Sequence, residues 1–378
     1  MKILVVSKPN TSYGYHRLVV PYTLLHGKDG IEVDFVDILS PDLTIAGLSV
    51  KEFVKGYDWV VFTRMIHPMA GITSLIAAII KDAGARIILD LDDYWELPTN
   101  HVIYKEYMDS GMRENILESI ALADAVTVTT GLLARLVGEK AHVLSNAINT
   151  NLAQFKSDTM PPTGVVRFGY LGSITHEHDV SLMEYSFQKL WGDKSLVGDG
   201  TWLGGSFQIF LCGYSVYDGV KEGQPYPNME KVMTGGKVSI PSRDEDYTFP
   251  TNSPYKRVKY NYDLDTYATA YNLFDVSLAP LENNLFNRCK SELKMIEAGV
   301  MGKAIIVSNI YPYTNLITKK NCIAISENKM GWYDGMKKLI KNPRLGEDLA
   351  MQLSEDVKER YCIEKVNEKR LEILTKQG

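Results

Sequence analysis

The chain has 378 residues, 45% hydrophobic and 23% charged, with a formal net charge of -5 at pH 7. That length can bury a large core and predicts two domains of a soluble globular protein rather than a fibrous or disordered one. The acidic balance offers no general basic surface for nucleic acid, and four scattered cysteines (Cys212, Cys289, Cys322, Cys362) without a CxxC exclude a disulfide framework or a cysteine-based zinc site.

The cysteines read as reduced thiols, and hence as those of a cytoplasmic protein. The apolar run at residues 3–6 is too short for a signal peptide and reads as a first strand. The most apolar helical stretch, residues 71–80, falls well below the ~20 residues a bilayer crossing needs. Membrane contact, where it occurs, is expected to be peripheral.

The first strand spans residues 2–7. A polar loop with Gly14, His16 and Arg17 follows, and then a helix to about residue 25. Short apolar runs at 31–38, 59–63, 86–91, 124–129 and 141–144 read as five further strands, with a helix at 71–81 between two of them. Residues 150–164 have a linker composition ending in Met160-Pro161-Pro162-Thr163-Gly164. The pattern then restarts: a strand at 165–171, a Gly172-Ser173 turn, a helix at 179–190, and strands at 207–212 and 276–279. A helix at 291–301 is stopped by Gly302 and followed by strands at 304–307 and 322–325. From 331 to 374 the chain is helical and strongly charged.

Strands alternating with helices, each strand a short apolar run, predict parallel sheets covered on both faces. The expected division is 1–155 for the first domain, 156–350 for the second, and 351–378 for terminal helices that pack back on the first. Between 214 and 256 the periodicity lapses, and this stretch reads as an insertion. At its end and beyond it, Tyr255-Lys256-Arg257-Val258-Lys259-Tyr260 is a small basic-aromatic segment, suited either to nucleic acid or to an ordinary strand.

In parallel α/β sheets ligands bind beyond the carboxyl ends of the strands, and that rule selects the polar residues of interest. After the first strand come Gly14, which permits close backbone approach, His16 and Arg17. After the fourth comes Asp90-Leu91-Asp92-Asp93. These carboxylates suit a divalent metal, sugar hydroxyls or a catalytic base, or else cap a helix. After the first strand of the second half, Gly172 and Ser173 suit a phosphate. His176, His178 and Asp179 suggest a metal but provide too few ligands with known geometry, so no metal site is expected. At 290–297, Lys290, Lys294 and Glu297 share one stripe of the predicted helix, and Lys290-Ser291 at its start suits an anion. HExxH, GxSxG and Walker sequences are absent.

The order of these parts, ending in Lys290-Ser291-x-Leu293-Lys294-x-x-Glu297-Ala298-x-x-x-Gly302-Lys303-Ala304-Ile305-Ile306-Val307-Ser308, resembles the GT-B glycosyltransferases. The similarity is greatest to the retaining enzymes of family 4 and their bacterial and phage relatives. Supporting matches lie at 14–17, 90–93, Thr127-Val128-Thr129-Thr130 and Asn146-Ala147-Ile148. The resemblance implies two Rossmann-like, doubly wound domains facing a cleft, and transfer of a sugar from a nucleotide-diphosphate sugar to an acceptor hydroxyl, with retention and without metal or other cofactor. It implies that Glu297 binds the ribose, that Lys290, Ser291, Gly172 and Ser173 hold the diphosphate with Lys294 adding charge, and that Gly14 and Arg17 lie near the sugar.

Asp92, Asp93 and His16 are the acceptor-side or catalytic candidates. The acceptor is a glycan, a lipid-linked sugar or a modified nucleobase, as in phage enzymes that glycosylate DNA. The family's other signature glutamate falls at Cys289, which cannot replace a carboxylate. Two further readings stand beside this one: a metal-dependent transferase using Asp90 and Asp92, and a non-catalytic nucleotide-binding relative.

Overall fold

The structure is a computed structural model that describes residues 1–7, 14–69, 71–157, 164–197, 206–214, 227–236, 254–259 and 264–376. It divides into two compact units. Unit 1 comprises Met1–Asn149, Arg288–Ser291 and Tyr361–Gly378, and unit 2 comprises Thr150–Asn287 and Glu292–Arg360. The division at Asn149/Thr150 lies a few residues before the expected boundary. The tetrapeptide Arg288–Ser291 joins unit 1 although the chain on both sides of it belongs to unit 2.

Unit 1 is built on β1 (Lys2–Val6), β2 (Glu32–Val36), the short antiparallel pair β3 (Thr44–Ile45) and β4 (Leu48–Ser49), β5 (Trp59–Thr63), β6 (Arg86–Leu91), β7 (Ala125–Val128) and β8 (Ala141–Val143). Its main sheet is parallel, in the order β2-β1-β5-β6-β7-β8. Alternation of side chains along each strand divides the core in two. Leu4, Val6, Val60, Phe62, Ile87 and Leu89 line one face. Ile3, Val5, Trp59, Val61 and Ile88 line the other. With about 1.5–3 kcal/mol for each large apolar side chain buried, both faces must be covered, so these strands read as continuous apolar runs.

The helix after β1 begins as a π-helix, Tyr15–Val19, and continues as Val20–Thr23 with Pro21 in its first turn. Pro21 has no N–H to give the carbonyl of Arg17. The terminal helix Ile363–Lys376 compensates: Arg370 Nη2 donates to Arg17 O (3.2 Å) and Asn367 Nδ2 to Pro21 O (2.9 Å). Trp59 Nε1 donates to Leu374 O in the same helix (3.2 Å), and Leu374 enters the core beside Trp59.

Unit 2 is built on β9 (Val166–Leu171), β10 (Phe207–Tyr214), β11 (Tyr255–Lys259), β12 (Val276–Ala279), β13 (Ala304–Ser308) and β14 (Ile323–Ile325), parallel in the order β11-β10-β9-β12-β13-β14. The strand order reverses between β9 and β12, and in unit 1 between β1 and β5. These are the topological switch points where such sheets bind ligands.

The described parts of the stretch 214–256 follow the sheet pattern. The helix Pro227–Met233 packs Met229, Val232 and Met233 into the core, and β11 pairs in parallel with β10. Among the described residues the helix thus lies in sequence between two parallel neighbouring strands. Residues 215–226 and 237–253 of that stretch lie outside the described residues, as does Tyr260. Two residues of the basic-aromatic segment, Tyr255 and Arg257, turn to Glu230. Tyr255 Oη donates to Glu230 Oε1 (2.8 Å), and Arg257 donates to both oxygens of the same carboxylate (2.5 and 2.8 Å).

Two helices differ from expectation. The stretch 179–190 forms Glu177–Ser181 and then Glu184–Gly192, and the helix expected at 291–301 runs Leu293–Val300. The latter is buried on most sides, because Gly299 lies directly against Leu353 and Val357 of the helix Pro343–Arg360.

Gly169 in β9 provides a test of the packing. A Cβ there would overlap the buried ring of Phe274. Gly169→Ala is expected to lower stability by about 1–3 kcal/mol, read as a fall in the denaturant midpoint at unchanged slope.

Candidate functional site

In unit 1 the polar residues gather at the carboxyl ends of β1, β5 and β6. Arg17 is not a surface cation. It is 4% exposed, and its guanidinium grips Asp90 through Nε (2.9 Å) and Nη2 (2.6 Å) while Nη1 donates to Leu144 O (2.7 Å) and Asn146 Oδ1 (3.3 Å). Thr127 Oγ1 also donates to Asp90 (2.6 Å). Burial works against the charge on Arg17, but Asp90 outweighs it and the pKa is raised. Arg17 and Asp90 are therefore internal counter-ions. Asp90 is not half of an exposed Asp-x-Asp pair, because its carboxylate is already bound by Arg17 and Thr127. Gly14 has φ -62°, an ordinary right-handed conformation. His16 stacks edge-on with Tyr15, with ring centroids 5.0 Å apart.

Asp92 and Asp93 lie at the surface beyond β6 and meet a residue the sequence reading missed. Arg64, one residue past β5, has φ +60°, a left-handed conformation uncommon without glycine. Its N–H extends the ladder to Asp90 O (2.8 Å). Its side chain binds Asp92 at both oxygens (2.7 and 2.9 Å) and reaches Asp93 Oδ2 (3.1 Å). Lys290 Nζ lies 3.4 Å from Asp93 Oδ1. The strand-end rule that selects Asp90–Asp93 applies equally to Arg64, since the sequence delimits β5 correctly; no motif marks the residue.

Ser291 is not a helix cap. Its Oγ accepts from Asn146 Nδ2 (2.6 Å), and Glu292 occupies the cap position without a capping side-chain bond. Cys289 is fully buried in the core of unit 1, its backbone carbonyl accepts from Thr130 Oγ1 (3.4 Å), and burial pushes its thiol up to about 11. The residue at the family's glutamate position is thus a packing residue.

In unit 2 the switch point gathers Gly172, Ser173, Lys294 and Glu297. Lys294 Nζ donates to Leu171 O (2.6 Å), the carbonyl just before Gly172, and stands 3.7 Å from Glu297 Oε2. Glu297 is 2% exposed and accepts from Tyr267 Oη (2.6 Å) and Tyr271 Oη (2.8 Å). Burial, then the Glu297 charge, pushes the Tyr271 phenol well above its ordinary pKa, so it stays a donor. Ser173 Oγ accepts from Thr175 N (3.3 Å) and opens the short 3-10 turn Ile174–His176.

His176 Nδ1 contacts Asp179 Oδ2 (2.7 Å), whose other oxygen accepts from Glu282 N and Asn287 Nδ2 (2.7 Å each). His178 is exposed and does not share this arrangement. Among the described residues, no group of three or more His, Cys, Asp and Glu side chains could hold a metal ion.

Two substitutions test these placements. Arg17→Met leaves Asp90 buried without its counter-ion and is expected to cost about 3–5 kcal/mol, seen in chemical denaturation. Cys289→Glu, which introduces the residue type that the resemblance would put there, is expected to lower the melting temperature sharply because it buries a carboxylate in an apolar core. An unchanged melting temperature would mean that Cys289 faces solvent.

No protein-family model and no curated protein matches the sequence. Solved structures do match. Sucrose-phosphate synthase from Thermosynechococcus elongatus aligns at 12% identity and TM-score 0.63, over 100% of this chain and 98% of that one. A glycosyltransferase from Rickettsia africae ESF-5 aligns at 14% identity and TM-score 0.62, over 100% and 98%. Anabaena HepE in complex with UDP and glucose aligns at 13% identity and TM-score 0.61, over 99% of each chain. At these identities the likeness is one of fold: the chain has the two-domain α/β architecture known as GT-B.

Proposed function

We propose that the protein is a glycosyltransferase that moves a sugar from a nucleotide-diphosphate sugar to an acceptor hydroxyl, with retention and without a resident metal. The observation that carries this reading is the arrangement beyond β9, where the Lys294 ammonium is anchored on Leu171 O immediately before Gly172 and Ser173, with Glu297 buried one helical turn further on. The fold it shares with a structure that holds UDP and glucose supports the same reading.

An ammonium has three protons, and only one of those on Lys294 is given to Leu171. The others can neutralise a diphosphate lying on the Gly172–Ser173 turn. Glu297, buried and bonded by two phenols, is not open to a ribose hydroxyl as the resemblance implies; its charge instead stands behind the Lys294 ammonium. In the transfer, the bond from the sugar's anomeric carbon to the diphosphate oxygen breaks and a bond to the acceptor oxygen forms. The acceptor's proton passes to the leaving diphosphate, whose charge Lys294 stabilises as it develops.

In unit 1, Asp92 and Asp93 take the acceptor's hydroxyls, oriented by Arg64 and Lys290, and His16 lies at the end of the same strand set. A glycan, a lipid-linked sugar and a modified nucleobase all offer the hydroxyls such carboxylates bind.

Calorimetric titration with UDP, GDP and ADP tests the donor side. At least one is expected to bind, and Lys294→Ala is expected to weaken it by about tenfold or more, as for loss of a charged hydrogen bond. Equal affinity in that variant would refute the site. Transfer is expected to survive EDTA; activity lost in EDTA and restored by Mn²⁺ would shift the assignment to a metal-dependent transferase.

A further inference from the structure

We propose that unit 1 rests on a lipid bilayer through a strip of exposed apolar side chains beside Asp92 and Asp93, which makes a lipid-linked sugar the acceptor its site can reach. The surface stands by itself; the acceptor it selects rests on the transferase reading above.

The strip is Met69, Val102, Ile103, Met108 and Met112. Met69 is 64% exposed and the other four are 37–48% exposed. Single exposed apolar residues are ordinary, but several on one surface mark an interaction site. Hydrogen bonds bring them together. Gly111 N donates to Met108 O (3.1 Å), which sets the end of the helix Tyr104–Asp109 against Met112, the first residue of the helix Met112–Leu122. Tyr107 N donates to Ile103 O (2.9 Å), so Val102 and Ile103 lead into the first of these helices. Met69 N donates to His67 Nδ1 (3.1 Å) and Asn115 Nδ2 to His67 O (2.6 Å), which sets Met69 near the start of the second.

That second helix begins with polar residues inside and an apolar one outside. Asn115 and Ser119 are buried and bind the loop backbone at His67 O and Ile66 N, while Met112 is exposed. The packing of unit 1 leaves Met112 in water, and an apolar surrounding would remove it from water.

The strip is tied to the carboxylates. The loop after β6 runs from Asp92 and Asp93 to Trp95, whose carbonyl accepts from Tyr107 Oη (2.8 Å). Burial pushes the Tyr107 phenol up to about 12, and the Arg64 charge is the first influence in the other direction, so Tyr107 lies within range of the guanidinium that binds Asp92. Arg64 also opens the loop that carries Met69.

Charge separates the three acceptors. From Lys105 to Glu114 the chain carries Lys105 and Arg113 against Glu106, Asp109 and Glu114, and Arg113 is bound to Glu96 (2.7 Å) and Glu114 (3.2 Å). DNA needs an excess of cations for its phosphates, and the strip has none. A free glycan is polar throughout and leaves the strip in water. A sugar linked to a lipid uses both features: its hydroxyls meet Asp92 and Asp93, and its hydrocarbon lies in the layer that the strip enters. Among the described residues no helix is long and apolar enough to cross a membrane, and insertion at the bilayer face needs none.

The test is co-sedimentation of the whole protein with sucrose-loaded phosphatidylcholine vesicles, alone and with phosphatidylglycerol added, at low and high salt. Wild type is expected to bind the neutral vesicles, and to stay within about threefold of that affinity when phosphatidylglycerol or salt is added, because the strip has no excess of positive charge. Met69→Gln is expected to bind about tenfold more weakly, and the triple variant Met69→Gln, Ile103→Gln, Met108→Gln to lose binding, through the apolar area removed. Met351→Gln, at a residue of unit 2 that is 63% exposed on the helix Pro343–Arg360, is expected to bind as wild type. Unchanged melting temperatures, expected for exposed side chains, show that lost vesicle binding is not lost folding.

Absence of binding to every vesicle, binding that persists in the triple variant, or an equal loss in Met351→Gln overturns the proposal. So does binding seen only with phosphatidylglycerol and lost in salt, which is a contact of charges. A wild-type dimer that becomes monomeric in the triple variant by sedimentation equilibrium also overturns it, since a second copy then covers the strip. Calorimetric titration with UDP, GDP and ADP reports on the donor site separately. Nucleotide binding without vesicle binding overturns the bilayer surface alone. Vesicle binding without nucleotide binding overturns the transferase reading, and the acceptor with it.

Discussion

A guanidinium cannot be taken out of water alone, and unit 1 is arranged around the burial of Arg17. Asp90 at the end of β6 supplies the counter-charge, Thr127 of β7 completes that carboxylate, and Leu144 and Asn146 receive the remaining protons. Four stretches of chain are thereby fixed at one edge of the sheet. The terminal helix is drawn in by the same residue, since Pro21 has no N–H for the Arg17 carbonyl and Arg370 donates to it. Because Asp90 is consumed inside, Asp92 and Asp93 are the carboxylates of that loop left at the surface, and Arg64 adopts an uncommon backbone conformation to bind them.

Unit 2 achieves the same fixing with buried carboxylates. Glu297 ties the helix Leu293–Val300 to the 3-10 segment Tyr267–Leu273 through two phenols. Asp179 ties the loop after β9 to the loop after β12. Each acid accepts several short hydrogen bonds, which offsets the cost of holding charge away from water. The consequence is functional as well as structural. Lys294, bonded to Leu171 O before Gly172, and His176, bonded to Asp179, are held by these contacts, which is the preorganisation that the proposed donor site calls for.

Local signals were strong where a strand is a short apolar run between breakers. The bounds 59–63, 86–91 and 276–279 read from the sequence are those of β5, β6 and β12. They were weaker where Pro, Gly and charge interrupt the period, as between β10 and β11, where the described helix Pro227–Met233 is short and buries Met229, Val232 and Met233. They also failed for roles. Lys290, Lys294 and Glu297 share a stripe on paper, yet Lys290 precedes the helix and contacts Asp93, while Glu297 is buried under two tyrosines. Arg17 and Lys294 look alike as surface cations in the sequence, but one is internal and the other is partly exposed.

The sequence by itself determined the class of fold, two parallel α/β sheets, and the strand ends at which polar residues matter. Apolar runs of strand length, separated by helical periods, have no other way to bury both faces. It also placed the Gly172–Ser173 turn directly after the first strand of the second half. Only the tertiary structure decided which charges are spent on each other: Arg17 on Asp90, Arg64 on Asp92, and Asp179 on His176 and the loop after β12. It also decided that Cys289 belongs to a core. The reason is that ion pairing and burial depend on distances between residues tens to hundreds of positions apart, and no local period encodes those distances.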